Sequence, residues 1–166
     1  MVRLTQQLSD LADRLARILL VPLGIGFILV VFMGVVTRYV LQAPMITAVE
    51  LGRLGFVWCA FLGAAICLKA ERHTQFLFLL DAVGGRARAA MQVVIALLSL
   101  GFFGLMLVKG IEMTRAVTDT YFPALGWSQL WLFLPLPLSG GFMLLHALAF
   151  LARDARRLLT DTEAGR

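Results

Sequence analysis

The chain has 166 residues, of which 60% are hydrophobic and 15% are charged. This composition is far from that of a water-soluble domain of the same length and indicates a single membrane domain. The net charge of +5 does not indicate a nucleic-acid partner, because the basic residues stand in small groups beside apolar stretches, as membrane topology requires.

Three long stretches without Asp, Glu, Lys or Arg are predicted to cross a bilayer. Residues 18–37 and 89–108 are each twenty residues long, which is the length of helix that spans the hydrocarbon core. Residues 120–152 carry no charged side chain, although they include His146. The first stretch is too long for a signal peptide and is expected to remain as an anchor.

A fourth stretch, residues 54–68, is uncharged over fifteen residues only. At 1.5 Å of rise per residue it covers about 22 Å, too little to span the core alone. Its helix is therefore expected to begin near Ile46 and to carry Glu50 and Arg53 into the membrane. The predicted fold class is an all-α membrane protein with four transmembrane helices.

The distribution of Lys and Arg predicts the orientation of these helices. Eleven of the fifteen lie in the N-terminal tail, the link between the second and third spans, and the C-terminal tail. Basic residues accumulate on the cytoplasmic side of membrane proteins. Both termini are therefore predicted to be cytoplasmic, and residues 38–49 and 109–127 to face outward.

The N-terminal tail, residues 1–17, has leucines at helical spacing with polar residues between them. This pattern predicts an amphipathic helix that lies in the cytoplasmic interface before the chain turns into the bilayer. Packing against a neighbouring subunit would produce the same pattern. The predicted organisation is thus an interfacial helix (1–17), a four-helix transmembrane domain (18–152) and a basic cytoplasmic tail (153–166).

Prolines and glycines make the last span irregular. Pro123, Pro135 and Pro137 would break or kink an isolated helix, which is tolerated in a membrane where neighbouring groups supply hydrogen bonds. The helix proper is expected to start around Gln129. Trp127, with Tyr121 and Trp131, would then lie near the outer headgroups.

Glu50 and Arg53 are the most informative charged residues, because ionisable groups inside a membrane are costly and usually have a defined partner. They are three residues apart and share a helical face. An internally neutralised pair of this kind favours a structural ion pair over a proton or cation site.

The second helix is also predicted to have one face of small residues and one of bulky residues. The small face allows another helix backbone to approach closely and predicts a subunit-packing surface formed by Gly52, Gly55, Cys59, Gly63 and Cys67. The cysteines in it behave as small hydrophobic residues. The bulky face is expected to meet lipid or a partner with matching cavities, with Trp58 as the partner contact, and it includes Leu51, Leu54, Phe61 and Leu62.

The remaining polar residues do not form a catalytic or metal-binding set in the sequence, and no cofactor is predicted. His73 is expected to be an interfacial residue at a helix end, and His146 to make a hydrogen bond between helices. Arg38 and Arg115 lie on the predicted outer face. They either face water or contact an acidic soluble partner.

The ordered motifs of the chain resemble the small, DctQ-type membrane subunit of tripartite ATP-independent periplasmic (TRAP) transporters. The resemblance lies in the run Glu50-Leu-Gly-Arg53, the aromatic and small residues that follow it, and His73. It continues in Leu125-Gly126-Trp127 and in the Pro-Leu-Pro-Leu-Ser-Gly segment at 135–140.

This resemblance implies a subunit of the bacterial inner membrane that is not an enzyme. In such transporters a large membrane subunit holds the substrate and sodium sites, and a periplasmic binding protein delivers the substrate, usually an organic acid. The small subunit braces the large one and contributes to the docking surface, for which Arg38 and Arg115 are the candidates.

Two other function classes are compatible with the residues alone. A self-contained four-helix exporter would use Glu50 as its proton site, although the nearby Arg53 argues against a lone titrating carboxylate. A quinone-linked thiol oxidase would need Cys59 and Cys67 as a reactive pair, but their spacing of eight residues along one helix is too large for them to bridge each other.

Overall fold

The computed structural model describes residues 2–43, 45–71 and 85–164, and the side chains of 6–43, 45–69 and 94–151. Within these ranges the chain forms α1 (Val2–Tyr39), α2 (Ile46–Glu71), α3 (Gly85–Ala116), α4 (Leu130–Phe133) and α5 (Pro135–Ala164). His73 lies outside the described residues. Four helical segments are long and apolar enough to cross a membrane, namely Gln6–Tyr39, Ile46–Lys69, Val94–Ala116 and Leu130–Leu151.

These spans confirm the four-helix prediction and the start of the second helix at Ile46. The last span begins at Leu130, one residue after the predicted position. It is divided at Leu134 because Pro135 has no N–H with which to continue the helix. Pro135 and Pro137 then occupy the first turn of α5, where a missing N–H is tolerated.

The N-terminal segment is not a separate helix. α1 runs for 38 residues, about 57 Å, from Val2 to Tyr39, so the expected turn after residue 17 is absent. Ser9, Ala12 and Ala16 are buried against the rest of the chain, and the leucines at 8, 11 and 15 are exposed. Contacts with the neighbouring helices thus hold this segment in line with the span.

Helix α5 lies at the centre of the molecule and packs against α1, α2 and α3. Its contact with α3 is close because two glycines meet backbone. A Cβ on Gly110 would stand 2.8 Å from the backbone nitrogen of Pro137, and one on Gly140 would stand 3.1 Å from that of Leu107. Small residues at a helix crossing allow this approach, which supplies dispersion energy in the absence of a hydrophobic driving force.

A hydrophobic core cluster lies beside this crossing, toward the Lys69 end of α2. Ala65, Phe103 and Met143 are buried together, one from each of α2, α3 and α5. Leu62 is also fully buried, although the sequence placed it on a bulky face directed to lipid or a partner. The expectation for Leu62 was therefore wrong, since the chain's own helices cover this side chain; α2 packs against both α1 and α5.

Candidate functional site

The carboxylate of Glu50 joins α2 to the segment that precedes α4. Its Oε2 atom accepts the backbone N–H of Leu125 at 2.8 Å, and the N–H of Ala124 lies 3.1 and 3.2 Å from the two carboxylate oxygens. Hydrogen bonds to a charged acceptor are stronger than neutral ones. One side chain therefore fixes two consecutive amides at the end of the molecule that carries Tyr39 and Ile46, here called the Tyr39 end.

The amides of Ala124 and Leu125 are available because the surrounding segment folds into a tight turn. Gly126 has a φ of +68°, a conformation that glycine adopts without steric cost. The N–H of Phe122 donates to the carbonyl of Trp127 at 2.8 Å, and the N–H of Gly126 donates to the carbonyl of Phe122 at 2.9 Å. The buried Phe122 ring anchors this turn beneath the surface.

Trp58 makes a second contact between α2 and the same region. Its indole N–H donates to the carbonyl of Trp131 at 2.8 Å. In a continuous helix that carbonyl would accept from the residue four positions later, which here is Pro135 and has no N–H. The indole therefore satisfies a backbone acceptor that the proline leaves free, as expected for a broken helix in a membrane. The contacts of Glu50 and Trp58 with residues 120–131 are called the Glu50 latch below.

The predicted Glu50–Arg53 ion pair is not found among the described residues, because Glu50 binds backbone amides instead. Among the described residues, the ion pairs join Arg17 to Asp13, Lys69 to Asp10 and Asp13, and Lys109 to Glu112. Glu50 is directed to the turn amides, whereas Arg53 is exposed. Helical spacing carries no information about the distance from Glu50 to this turn, although Pro123 and Gly126 on either side of the two amides were a signal for the turn itself.

The predicted small-residue surface is divided between two environments. A Cβ on Gly55 would lie 3.0 Å from that of Phe27, and one on Gly52 would lie 3.6 Å from Val31. Both glycines are therefore covered by α1, and the expectation that they face another subunit was wrong. Gly63 has no atom within 4 Å of its Cβ position, Cys67 is exposed and Cys59 is partly buried.

The bulky side of α2 faces an apolar groove of about 520 Å³ that lies between α1 and α2. Leu51, Leu54 and Trp58 line it from α2, and Trp127 and Trp131 line it at the Tyr39 end. These positions contrast with Leu62, which belongs to the same predicted face but is fully buried. Trp127 and Trp131, which lie in the segment held by the Glu50 latch, therefore form part of the groove wall.

A second polar cluster joins three helices at the opposite, Lys69 end. The Lys69 ammonium donates to the carbonyl of Ser9 at 3.2 Å and binds the carboxylates of Asp10 at 2.8 Å and Asp13 at 3.7 Å. The Ser9 hydroxyl lies 2.7 Å from Nδ1 of the fully buried His146. The predicted interhelical hydrogen bond of His146 is confirmed, and it attaches the N-terminal segment of α1 to α5.

Both predicted docking residues are exposed at the Tyr39 end. Arg38 is in the last turn of α1 with its guanidinium 5.9 Å from the centre of the Tyr39 ring, a weak cation–π distance. Arg115 is in the last turn of α3. Within the part of the chain whose side chains are described, no group of three or more His, Cys, Asp or Glu is placed to hold a metal ion.

Comparison with known proteins gives two findings. A family model described as the DctQ component of tripartite ATP-independent periplasmic transporters matches residues 27–157. The chain is also 27% identical over 143 residues to the sialic acid TRAP transporter small permease protein SiaQ of Vibrio cholerae serotype O1, an alignment that covers 86% of this chain and 83% of that relative. The family match runs from within α1 to within α5 and therefore includes Glu50, Trp58, Lys69 and His146. The α1 members of the Lys69-end cluster, Ser9, Asp10 and Asp13, precede the matched residues.

Proposed function

Because the chain belongs to the DctQ component family of tripartite ATP-independent periplasmic transporters, we propose that it braces the large membrane subunit and helps to dock the periplasmic binding protein. The transport so supported is sodium-driven uptake of an organic acid. This substrate class is consistent with the relative whose name specifies sialic acid, a carboxylate-bearing sugar. The chain supplies neither a cofactor nor a catalytic step.

The observation that carries this proposal is the use of the membrane-embedded polar side chains as contacts between helices. The Glu50 carboxylate is bound to the amides of Ala124 and Leu125, and His146 is bound to Ser9. The first contact joins α2 to the segment before α4 at one end of the molecule, and the second joins α1 to α5 at the other. A rigid scaffold needs such contacts, whereas an exporter needs a carboxylate that exchanges protons with both sides of the membrane.

In this proposal both termini are cytoplasmic, as the Lys and Arg distribution predicts, and the Tyr39 end faces the periplasm. Arg38 and Arg115 then stand at the outer membrane–water boundary. An arginine there can bind a carboxylate of the binding protein with its planar fork. The Glu50 latch holds residues 120–131 in one conformation at the same end of the molecule, which keeps the docking surface preorganised.

The scaffold role is tested by reconstitution. Liposomes that contain this chain alone should show no substrate uptake and no proton flux above empty vesicles, whereas vesicles with the large subunit and the binding protein should accumulate substrate only when all three are present. Substrate-dependent flux through the purified chain alone would contradict the scaffold role and favour the exporter.

The docking role is tested by reversing the charge at Arg38. Arg38→Glu should leave assembly of the membrane complex intact and lower uptake at limiting binding protein, and excess binding protein should restore uptake by mass action. Arg14→Glu is the matched control, since Arg14 is also exposed but lies at the Lys69 end. Wild-type uptake by Arg38→Glu at limiting binding protein would remove Arg38 from the docking surface and leave Arg115 to be tested.

A further inference from the structure

Arg53 is a charge inside an apolar span. It is the eighth residue of the 24-residue span Ile46–Lys69, so its Cα lies about 10 Å along the helix from Ile46. A helix of this length is about 36 Å long, only slightly more than the hydrocarbon core of roughly 30 Å. The Arg53 backbone therefore lies inside the core rather than at its boundary.

The protein leaves the Arg53 guanidinium without a partner among the described residues. The nearest anion in sequence, Glu50, is occupied by the Ala124 and Leu125 amides, and the described ion pairs and hydrogen bonds do not include Arg53. A guanidinium has five N–H donors and keeps its charge. In a membrane such a group requires an acceptor, and that acceptor must come from another molecule.

The helix face around Arg53 differs from the other exposed faces of the molecule. It is a continuous exposed strip, here called the Arg53 face, that comprises Val49, Arg53, Phe56, Ala60, Ala64 and Cys67. Its half toward Lys69 consists of small residues. By contrast, most exposed residues in the spans of α1 and α3 are large, with Gly26 and Gly101 as exceptions. The large ones include Ile25, Ile28, Phe32, Leu98, Phe102 and Leu105.

We propose that the Arg53 face is the surface on which the large membrane subunit packs, and that a carboxylate of that subunit binds Arg53 inside the membrane. The inference rests on the proposed function and specifies its contact. Small residues let a partner helix backbone approach α2 closely, whereas lipid chains gain nothing from them. The unpartnered cation then selects the chemistry of the partner, because a carboxylate accepts two parallel hydrogen bonds from one guanidinium.

Phe56 provides a position-specific test, because two other phenylalanines serve as matched controls. Phe56 is 61% exposed on the Arg53 face, Phe32 is 64% exposed on α1, and Phe102 is 63% exposed on α3. Each is replaced in turn by the photoreactive benzoylphenylalanine in the co-expressed complex. Irradiation should join the Phe56 variant to the large subunit, while the Phe32 and Phe102 variants give mainly lipid adducts.

The acceptor of Arg53 is identified by a second experiment on the same complex. Arg53→Lys keeps the charge and places an amine that a hydrophobic carbodiimide can couple to a nearby carboxylate, with formation of an amide and release of the urea. Mass spectrometry should locate that amide on an Asp or Glu of a transmembrane helix of the large subunit. Arg53→Met should reduce recovery of the large subunit with this chain by about tenfold or more, since the carboxylate of the large subunit is then left without a partner.

The outcomes separate this inference from the proposed function. If the large subunit is recovered with this chain but is crosslinked from Phe32 or Phe102 and not from Phe56, the assignment of the Arg53 face to the large subunit is wrong. The scaffold role then stands. Lipid adducts alone at Phe56, with undiminished recovery of the Arg53→Met complex, would assign Arg53 to a lipid phosphate and overturn the inference. If the large subunit is never recovered with the wild-type chain, the proposed function fails.

Discussion

Removal of the Glu50 charge should release the turn that contains Ala124 and Leu125. Two amides donate to the carboxylate, and hydrogen bonds to a charged acceptor each contribute about 1.5–3 kcal/mol. The bond from Ala124 is shared between two oxygens at 3.1 and 3.2 Å, which places the pair at about 3 kcal/mol. Glu50→Gln retains one neutral acceptor and should lose about 2 kcal/mol, which corresponds to roughly a 30-fold larger opening equilibrium.

Hydrogen–deuterium exchange of a peptide covering residues 120–129 measures this opening directly. Glu50→Gln should exchange there roughly 30-fold faster than the wild type, and Glu50→Ala faster still, with the remaining helices unchanged. Glu112→Gln is the matched control, because its partner Lys109 is exposed and the pair lies at the surface. Arg53→Met should also leave the turn unchanged. Equal exchange rates in the Glu50 variants and the Glu112 control would refute the Glu50 latch.

The other predictions concern the contacts between helices and use thermal unfolding of the detergent-solubilised chain. Gly110→Ala should destabilise the protein by about 1–3 kcal/mol because its Cβ meets the backbone of α5, whereas Gly104→Ala, which has open space, should be neutral or slightly stabilising. Trp58→Phe should cost about 1–2 kcal/mol because the carbonyl that accepts its N–H has no helical donor. Lys69→Met should make the N-terminal segment more accessible to protease, since it removes the cation that binds Asp13 and its neighbours; unchanged cleavage would show that Ser9 and the buried histidine suffice.

The sequence predicted the helices because their signal is local. Span length, hydropathy and proline position depend on residues that are neighbours along the chain, and the observed spans agree with them. The start of the last span near Gln129 could be predicted for the same reason, since Pro135 and Pro137 restrict where a helix begins. The interhelical role of His146 followed from the cost of leaving a polar group in lipid.

The predictions that were wrong depended on contacts between distant parts of the chain. The partner of Glu50 lies 74 and 75 residues away, and helical spacing says nothing about a backbone amide at that separation. The coverage of Gly55 by Phe27 likewise required knowledge of which face α1 would occupy. A helical projection identifies which residues share a face, but tertiary packing decides what that face meets.

Glu50 and Arg53 therefore have different partners although they are only three residues apart: Glu50 binds within the chain, and Arg53 is proposed to bind another subunit. If they had neutralised each other, this part of α2 would need no charged partner in the membrane and could pack against any apolar helix. The Glu50 latch uses the anion within the chain, so the positive charge of Arg53 is left for an external acceptor. A charge that only the correct partner can satisfy penalises wrong partners as well as favouring the right one, which is how buried polar groups contribute specificity. The same motif thus connects the internal rigidity of the subunit to its choice of partner.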